Sequence, residues 1–210
     1  MIAIIDYGLG NLGSIANMLR TIGARCEITG DKEAISRADK LVLPGVGAFD
    51  AGMGRLEESG LDVLVREQAA TGKPVLGICL GMQLLGLSSE EGKKAGLGLI
   101  PFRSRRFDFA AHGVGPSIAS RMKVPHMGWD VVDFEKDSLL TTGIEGRQRY
   151  YFVHSYHAVC EEPGDVLMTC DYGYRFAAAV SRDNVYGVQF HPEKSHDFGM
   201  RLLENFAGVC

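Results

Sequence analysis

The stretch PVLGICLGMQLL, residues 74–85, passes from an apolar strand directly into a helix. The residues before Cys79 are apolar and fit a short buried strand, whereas the residues after it fit the first turns of a helix. Gly77 and Gly81 stand two positions before and two positions after Cys79, which allows the backbone to turn sharply and expose the thiol. A strand that turns straight into a helix predicts an α/β fold with a parallel sheet.

The alternation of strand and helix runs through the whole first half of the chain. Strands are predicted at IAIID, ARCEIT and KLVLPG, and helices at NLGSIANMLRTIG and LDVLVREQAATG. After about residue 98 the pattern changes to successive strands, and SHDFGMRLLENFAG closes the chain as a helix. The later strands are predicted at SRRFDF, MKVPHMGWDVVDF, RYYFVHSYHAVC, VLMTCDYG, YRFAAAVSR and VYGVQF. We therefore predict one domain, residues 1–210: a flavodoxin-like, three-layer α/β sandwich with a central mixed, mainly parallel sheet.

The composition argues against several classes of function. The chain has 210 residues, of which 46% are apolar and 23% charged, as is ordinary for a globular protein. Its net charge of −4 gives no sign of a basic surface for nucleic acid. No run approaches the ~20 apolar residues of a membrane-spanning helix, and MIAIIDYG lacks the features of a signal peptide. We expect a cytoplasmic protein that binds neither nucleic acid nor a membrane. The Gly-, Ala- and Ser-rich segment 109–120 is the best candidate for a mobile loop.

The five cysteines are an odd number and form no Cys-x-x-Cys pair. This argues against a disulfide framework and against a zinc site. Most of these thiols should be small buried apolar groups. Cys79 is the exception, because the positive end of the helix dipole favours a thiolate there. The amide of Leu80 faces the same side and could donate to an oxyanion.

A thiolate nucleophile needs a base, and the base needs a group that orients it. His191 follows the predicted strand VYGVQF, and Glu193 comes two residues later in HPE. Glu193 could accept from one imidazole nitrogen while the other addresses Cys79. Because parallel strands bring their carboxyl ends to one edge, both motifs should meet there. An ordinary surface turn is the competing interpretation of HPE taken alone.

The segment GLGNLG, residues 8–13, has the Gly-x-Gly-x-x-Gly spelling of a dinucleotide site. It lies between a predicted strand and a predicted helix, and Asp31 follows near the position of an acidic ribose ligand. Nothing else in the chain calls for a pyrophosphate, because the identifiable chemistry clusters at Cys79 and HPE. We therefore interpret these glycines as a tight strand-to-helix turn and keep a nucleotide-binding module as an alternative.

Five motifs carry a family resemblance: PGVGAF, GICLGMQLL, PHMGW, YFVHSYH and GVQFHPEKS occur in this order. Together they resemble the class I (triad) glutamine amidotransferases, and more closely the HisH-type glutaminase subunits of imidazole glycerol phosphate synthase. The resemblance covers essentially the whole chain. It implies that Cys79 attacks the side-chain amide of L-glutamine, that His191 moves the proton, and that Glu193 orients the imidazole. A glutamyl thioester would then be hydrolysed to glutamate, without a cofactor or metal.

The resemblance also implies roles for residues around the thiol. Val46 and Gly47 match the oxyanion strand of the family and would complement the Leu80 amide. The positions implied to bind or flank the substrate are Gly47, Gln83, Ser155 and Tyr156. Glycine-rich peptide groups flip at low cost, so we hypothesise that Val46 and Gly47 form an incomplete oxyanion hole in the free subunit.

Members of this family pass ammonia to a HisF-like (β/α)8 cyclase or synthase partner. The positions implied to lie at that interface are Asn11, Trp129 and Lys194. Asp130 departs from the family pattern, which commonly has Asn after PHMGW. Together with CDYGYRFAAAV and EKSHDFGMRLLENF, this departure leaves two acceptor pathways open. They are histidine biosynthesis and the amidination of a surface-polysaccharide sugar.

Other functional classes would use some of the same residues. A stand-alone thiol hydrolase, such as a peptidase or γ-glutamyl hydrolase, would need the same triad but not the interface-like PHMGW and NLGS segments. A non-catalytic regulatory partner would have no need for Cys79, His191 and Glu193 together. Activity on γ-glutamyl peptides without a partner would favour the first of these alternatives.

Overall fold

The computed structural model describes residues 1–210, and its strands form one twelve-stranded mixed sheet. The strands are β1 (Ile2–Ile5), β2 (Cys26–Thr29), β3 (Lys40–Leu43), β4 (Val75–Ile78), β5 (Ser88–Ser89), β6 (Phe102–Arg106), β7 (His126–Phe134), β8 (Gln148–His154), β9 (Tyr156–Cys160), β10 (Val166–Asp171), β11 (Arg175–Arg182) and β12 (Val185–Val188). The helices are α1 (Leu12–Thr21), α2 (Lys32–Arg37), α3 (Phe49–Ser59), α4 (Leu61–Ala70), α5 (Leu80–Leu85), α6 (Pro116–Ala119) and α7 (His196–Gly208).

The sheet has a parallel part and an antiparallel part. Strands β2, β1, β3, β4 and β12 are parallel neighbours in that order, and β11, β10, β7 and β8 continue the sheet in antiparallel pairs. Val188 at the end of β12 pairs with Ile78 at the end of β4. The residues that follow these two strands therefore emerge at the same edge of the sheet.

Helices cover both faces of the parallel strands. Side chains alternate along β1, so that Ile2 and Ile4 pack with α1 and α7 residues such as Leu19 and Phe206. Ala3 and Ile5 face the other way and join a second core with residues of α2 to α5. Burial on both faces explains why these strands are continuously apolar. The architecture confirms the predicted three-layer α/β sandwich with a central mixed sheet.

Several elements differ from the sequence prediction. Helices α2 and α3 were not predicted; Asp31 caps α2 through a bond from the Ala34 amide, and Gly60, at φ 66°, separates α3 from α4. The segment RYYFVHSYHAVC was predicted as one strand, which is wrong, because it divides at Ser155 into β8 and β9. The segment 109–120 contains the short helix α6, which buries none of its side chains.

The first four residues of GLGNLG, residues 8–11, lie in the predicted turn between β1 and α1, and Leu12 and Gly13 begin α1. Gly8 and Gly10 have φ values of 83° and 123°, which side-chain-bearing residues rarely adopt. Asp31 is engaged as the α2 cap at 2.8 Å from the Ala34 nitrogen, so its carboxylate is occupied within the fold. No helix of the chain combines the length and apolar character that crossing a bilayer requires.

Candidate active site

Cys79 lies in the sharp turn between β4 and α5. Its backbone has φ 55° and ψ −111°, a left-handed conformation that is costly for any residue with a Cβ atom. The Cys79 amide donates to Val188 O at 2.8 Å, and its carbonyl accepts from the Gln83 amide at 3.2 Å. These bonds hold the turn. Leu80 is the first residue of α5, so its amide has no acceptor within the helix.

Glycines on both sides of Cys79 allow α5 to approach the sheet. A Cβ atom on Gly81 would lie 1.9 Å from Leu43 O, and one on Gly77 would lie 2.7 Å from Gly81 O. Both distances are far shorter than van der Waals contact. The Gly-x-Cys-x-Gly spacing is therefore a steric requirement of this turn.

His191 and Glu193 lie at the same sheet edge, in the turn that follows β12. His191 Nδ1 and Glu193 Oε1 are 2.8 Å apart, and both side chains are almost completely buried. The other ring nitrogen, Nε2, makes no hydrogen bond of regular geometry to nitrogen or oxygen. Burial alone would lower the pKa of His191, but the Cys79 thiol and the Glu193 carboxylate outweigh burial and raise the pKa to about 9. The imidazole is therefore protonated at neutral pH.

Ser195 fixes the turn that carries His191, although its role was not predicted from the sequence. It is fully buried, its hydroxyl donates to His191 O at 2.6 Å, and the hydroxyl accepts from the Tyr151 amide at 3.0 Å. The His191 amide donates to Tyr151 O at 2.9 Å. These contacts anchor the turn to β8, so the imidazole position is set by the sheet.

A cavity of about 280 Å³ opens at the thiol. The lining includes every residue predicted for the nucleophile, base, oxyanion and substrate positions: Cys79, His191, Val46, Gly47, Leu80, Gln83, Ser155 and Tyr156. Glu193 stands behind His191, outside the lining. The structure thus brings the predicted positions together around one space. Gly47 has φ 101°, a conformation that its lack of a side chain permits.

The cavity also has lining residues that the sequence did not single out. Glu91 is among them, and its carboxylate accepts from the Phe49 amide at 2.8 Å. Gln189 lies behind the wall, where its amide nitrogen is 3.8 Å from Cys79 Sγ and its oxygen accepts from Gln83 at 3.0 Å. Gln189 belongs to the GVQFHPEKS motif, and its place two residues before His191 could have indicated that it lies near the site. Glu91 lies in the short acidic segment SEEG, which carries no comparable signal.

The three predicted interface residues lie near the sheet edge that carries the site. Trp129 is 37% exposed and stacks on His196 with ring centroids 5.4 Å apart. The Lys194 amine lies 5.7 Å from the centroid of Tyr151, the cross-strand partner of Trp129. Asn11 precedes α1, which packs against the turn at 192–194. No group of three or more His, Cys, Asp or Glu side chains is arranged to hold a metal ion.

Comparisons with known proteins agree with this geometry. The family model for class-I glutamine amidotransferases matches residues 3–209. The chain is 51% identical over 207 residues to a Pseudomonas aeruginosa protein named imidazole glycerol phosphate synthase subunit HisH 2, covering 98% of both chains. It is 52% identical over 207 residues to a protein of the same name from Methanococcus maripaludis, again covering 98% of both.

A solved structure described as a glutamine amidotransferase shares the fold. It has a TM-score of 0.74 at 19% identity, with 99% of each chain covered. The family model spans nearly the whole chain, and close relatives match it end to end. The chain therefore belongs to the class-I glutamine amidotransferase family of enzymes.

Proposed function

We propose that this chain is a glutaminase subunit of the HisH type, which hydrolyses L-glutamine to glutamate and ammonia and delivers the ammonia to a HisF-like (β/α)8 synthase partner. The observation that carries the proposal is the buried Cys79–His191–Glu193 constellation at the mouth of a cavity large enough for an amino acid. Residues 1–210 act in this proposal as one glutamine amidotransferase domain.

The first half-reaction forms a thioester. The Cys79 thiolate attacks the side-chain amide carbon of glutamine, and the carbonyl oxygen becomes a tetrahedral oxyanion. The Leu80 amide and an amide of the Val46–Gly47 strand donate hydrogen bonds to that oxyanion. His191, protonated at neutral pH, donates its Nε2 proton to the departing nitrogen, so that ammonia leaves and a glutamyl thioester remains.

The second half-reaction restores the enzyme. His191 is now neutral and accepts a proton from a water molecule, whose oxygen attacks the thioester carbon. The tetrahedral intermediate collapses with cleavage of the carbon–sulfur bond, which releases glutamate and regenerates the Cys79 thiolate and the His191 imidazolium. Glu193 holds the imidazole orientation through Nδ1 during both half-reactions.

The cavity chemistry fits the α-amino acid part of glutamine. Glu91 is the acidic side chain in the lining and suits the positively charged α-ammonium group. Gln83, Ser155 and Tyr156 supply neutral polar groups for the rest of the substrate. This arrangement supports a free amino acid as the substrate. It gives no specific support to a peptidase.

The partner docks, in this proposal, on the face formed by Asn11, Trp129 and Lys194. The word subunit in the names of the two relatives supports a heteromeric complex. Those names also favour a partner that builds imidazole glycerol phosphate over one that amidinates a surface sugar. We place the complex in the cytoplasm, because a catalytic thiol such as Cys79 stays reduced there.

The test is partner-dependent glutamate release. The purified chain is mixed with glutamine and either an imidazole glycerol phosphate synthase cyclase subunit or a HisF-like subunit of a surface-sugar pathway. We expect strong stimulation by the cyclase subunit and loss of activity in Cys79→Ser, whereas Cys26→Ser, altered at a half-buried thiol remote from the cavity, retains activity. Full activity without any partner would contradict the subunit role. Retained activity in Cys79→Ser would remove that residue from catalysis.

A further inference from the structure

A chain of hydrogen bonds connects a half-exposed carboxylate to the wall of the glutamine cavity. Asp130 Oδ2 lies 2.7 Å from His126 Nε2, and His126 Nδ1 lies 3.1 Å from His154 Nε2. His154 Nδ1 then lies 2.8 Å from the backbone oxygen of Tyr156. The mechanism above uses none of these three side chains, yet His154 and Tyr156 line the cavity.

The two histidines are rigidly held. His126 and His154 are almost fully buried and face each other across the β7–β8 pair. The His126 ring is stacked on Tyr172, with centroids 3.9 Å apart, and on Phe152, with centroids 4.8 Å apart. Because stacked rings of this kind cannot turn freely, the donors and acceptors along the chain are fixed in place.

The three hydrogen bonds of this series need three protons, whereas two neutral histidines supply only two. Each of the three contacts requires one proton between its two heavy atoms. The Tyr156 oxygen is an acceptor only, so the Nδ1 of His154 must donate to it and the Nε2 of His154 must accept from His126. The Nε2 of His126 then faces a carboxylate, which also accepts. A third proton must therefore lie between His126 and Asp130.

An asparagine at position 130 would remove this requirement. Its amide nitrogen could donate to a neutral His126, and all three contacts would be made without an added proton. The choice between aspartate and asparagine at position 130 therefore changes the number of protons that these hydrogen bonds hold, while the length of the two side chains is the same.

The far end of the chain reaches the substrate-binding side chains and the thiol. The Tyr156 oxygen also accepts from the Gln83 amide nitrogen at 3.3 Å, and the same nitrogen donates to Gln189 at 3.0 Å. Gln189 in turn approaches Cys79 Sγ at 3.8 Å. Displacement of the Tyr156 backbone would therefore disturb Gln83 and the cavity wall together.

We propose that Asp130, His126 and His154 are positioning residues for glutamine, and that the proton between Asp130 and His126 makes glutamine binding depend on pH. The inference rests on the proposed glutaminase function. While the proton is present, the three contacts hold the Tyr156 wall. Its release at higher pH leaves two protons for three contacts. The proton remaining on His126 then lies on Nε2 facing the Asp130 carboxylate, so His126 Nδ1 and His154 Nε2 face each other as two acceptors at 3.1 Å; they separate and the wall loosens.

Of the protons in these hydrogen bonds, the added proton shared by Asp130 and His126 is the one that is lost as the pH rises. The ionisable groups that face the pair are His154 from β8, Tyr172 from the turn after β10, and Cys170 from β10 near Asp130. Burial lowers the pKa of His154 to about 3, so His154 remains neutral. Burial lowers the pKa of His126 below its ordinary value, because the opposing effect of the Asp130 carboxylate is the smaller of the two, so the added proton is lost on the acid side of neutrality.

The test compares wild type, Asp130→Asn and Asp130→Ala in complex with the partner from pH 4.5 to 8.5, a range that extends well to the acid side of the lowered His126 pKa. In wild type the KM for glutamine should rise with pH by about tenfold, the cost of one lost buried contact, with kcat changing much less. Asp130→Asn should keep a low, pH-independent KM, and Asp130→Ala should have a raised KM at every pH. Asp133→Asn, altered at an exposed position of the same strand, should behave as wild type. Parallel KM curves in wild type and Asp130→Asn would overturn the proposal.

A second measurement does not depend on activity. In ¹⁵N-histidine-labelled protein, NMR should show His126 with protons on both ring nitrogens at the acid end of the pH series and a shift as that proton is lost, and this transition should be absent in Asp130→Asn. An identical His126 titration in both proteins would refute the proton count. If wild type shows no partner-stimulated glutaminase, the proposed function fails, and the NMR result still decides the number of protons.

Discussion

At the residue scale, the reactive groups are placed by backbone contacts to neighbouring strands. A left-handed residue such as Cys79 costs of order 1–3 kcal/mol, and the bond from its amide to Val188 O helps to hold it. His191 is held in the same way through Tyr151 and Ser195. The relative position of nucleophile and base therefore depends on the pairing of β4, β12 and β8.

Glu193→Gln should move the alkaline limit of glutaminase to lower pH. His191 must carry a proton to release ammonia, and its pKa of about 9 keeps it protonated up to that pH. Removing the carboxylate removes one cause of the raised pKa, so the falling limb of kcat/KM should shift by about one pH unit or more toward acid. The measurement is a pH–rate profile of the partnered enzyme. Glu204→Gln on the exposed side of α7 is the control, and an unmoved limb in Glu193→Gln would contradict the prediction.

Glu91→Gln should weaken glutamine binding while leaving the chemistry largely intact. The amide oxygen of Gln can still accept from the Phe49 amide, so the local fold is kept, but the charge facing the α-ammonium group is lost. We expect KM to rise about tenfold or more, with a smaller change in kcat. Glu90→Gln is the matched control, because the neighbouring Glu90 pairs with Arg105 outside the cavity. Equal KM values in the two variants would exclude Glu91 from substrate binding.

The sequence was informative about the triad and much less so about its supports. Cys79 and His191 follow buried strands within distinctive local patterns, so both could be predicted before any coordinates. Glu91 accepts a hydrogen bond from Phe49 and Ser195 accepts one from Tyr151, each more than 40 positions away along the chain. A local sequence pattern does not predict such contacts, because they depend on how elements distant in the sequence pack together.

At the element scale, the approach of α5 to β3 sets the geometry of the turn. Gly81 lies so close to Leu43 O that no side chain fits between them, which explains why the Gly-x-Cys-x-Gly spacing predicted the turn well. Helices α2 and α3 were harder to predict. Helix α2 has only six residues, and α3 contains two glycines within an 11-residue span. Both features weaken the helical pattern in the sequence, and packing against the rest of the fold stabilises the two helices.

Gly81→Ala should destabilise the fold and reduce glutaminase together. A Cβ atom 1.9 Å from a backbone oxygen forces α5 away from the sheet, at a cost of about 1–3 kcal/mol in the free energy of unfolding. Urea denaturation measures the stability, and partnered glutamate release measures the activity. The control is Gly54→Ala in α3, where a Cβ atom meets its nearest neighbour at 3.6 Å and should be neutral or stabilising by up to ~1 kcal/mol. Equal stability of the two variants would contradict the steric argument.

At the scale of the whole molecule, the parallel and antiparallel parts of the sheet contribute different parts of the site. The parallel strands β4 and β12 position the nucleophile and base, whereas the end of β8, the start of β9 and Pro125, which precedes β7, form one wall of the cavity. Strand β7 exposes Met127 and Trp129 and buries His126 against the rings of Phe152 and Tyr172. One strand thus contributes both to the proposed docking face and to the hydrogen-bonded chain behind the glutamine site.

Trp129→Ala should weaken partner binding without unfolding the free chain. The indole is held by His196 and by Arg149, whose guanidinium lies 5.5 Å from the ring centroid, so little side-chain entropy is lost on docking. An exposed, pre-oriented Trp is a typical binding hot spot, and its truncation should cost about 2 kcal/mol, or roughly 30-fold in Kd. Titrating the partner against glutaminase stimulation measures that Kd, and Asn11→Ala should reduce the stimulation in the same assay. Leu139→Ala is the control, because it alters another exposed apolar residue. The next residue, Leu140, accepts a hydrogen bond from Asn205, which lies nine residues along α7 from His196 and so about 14 Å from it. Equal Kd values for Trp129→Ala and Leu139→Ala would place the docking face elsewhere on the molecule.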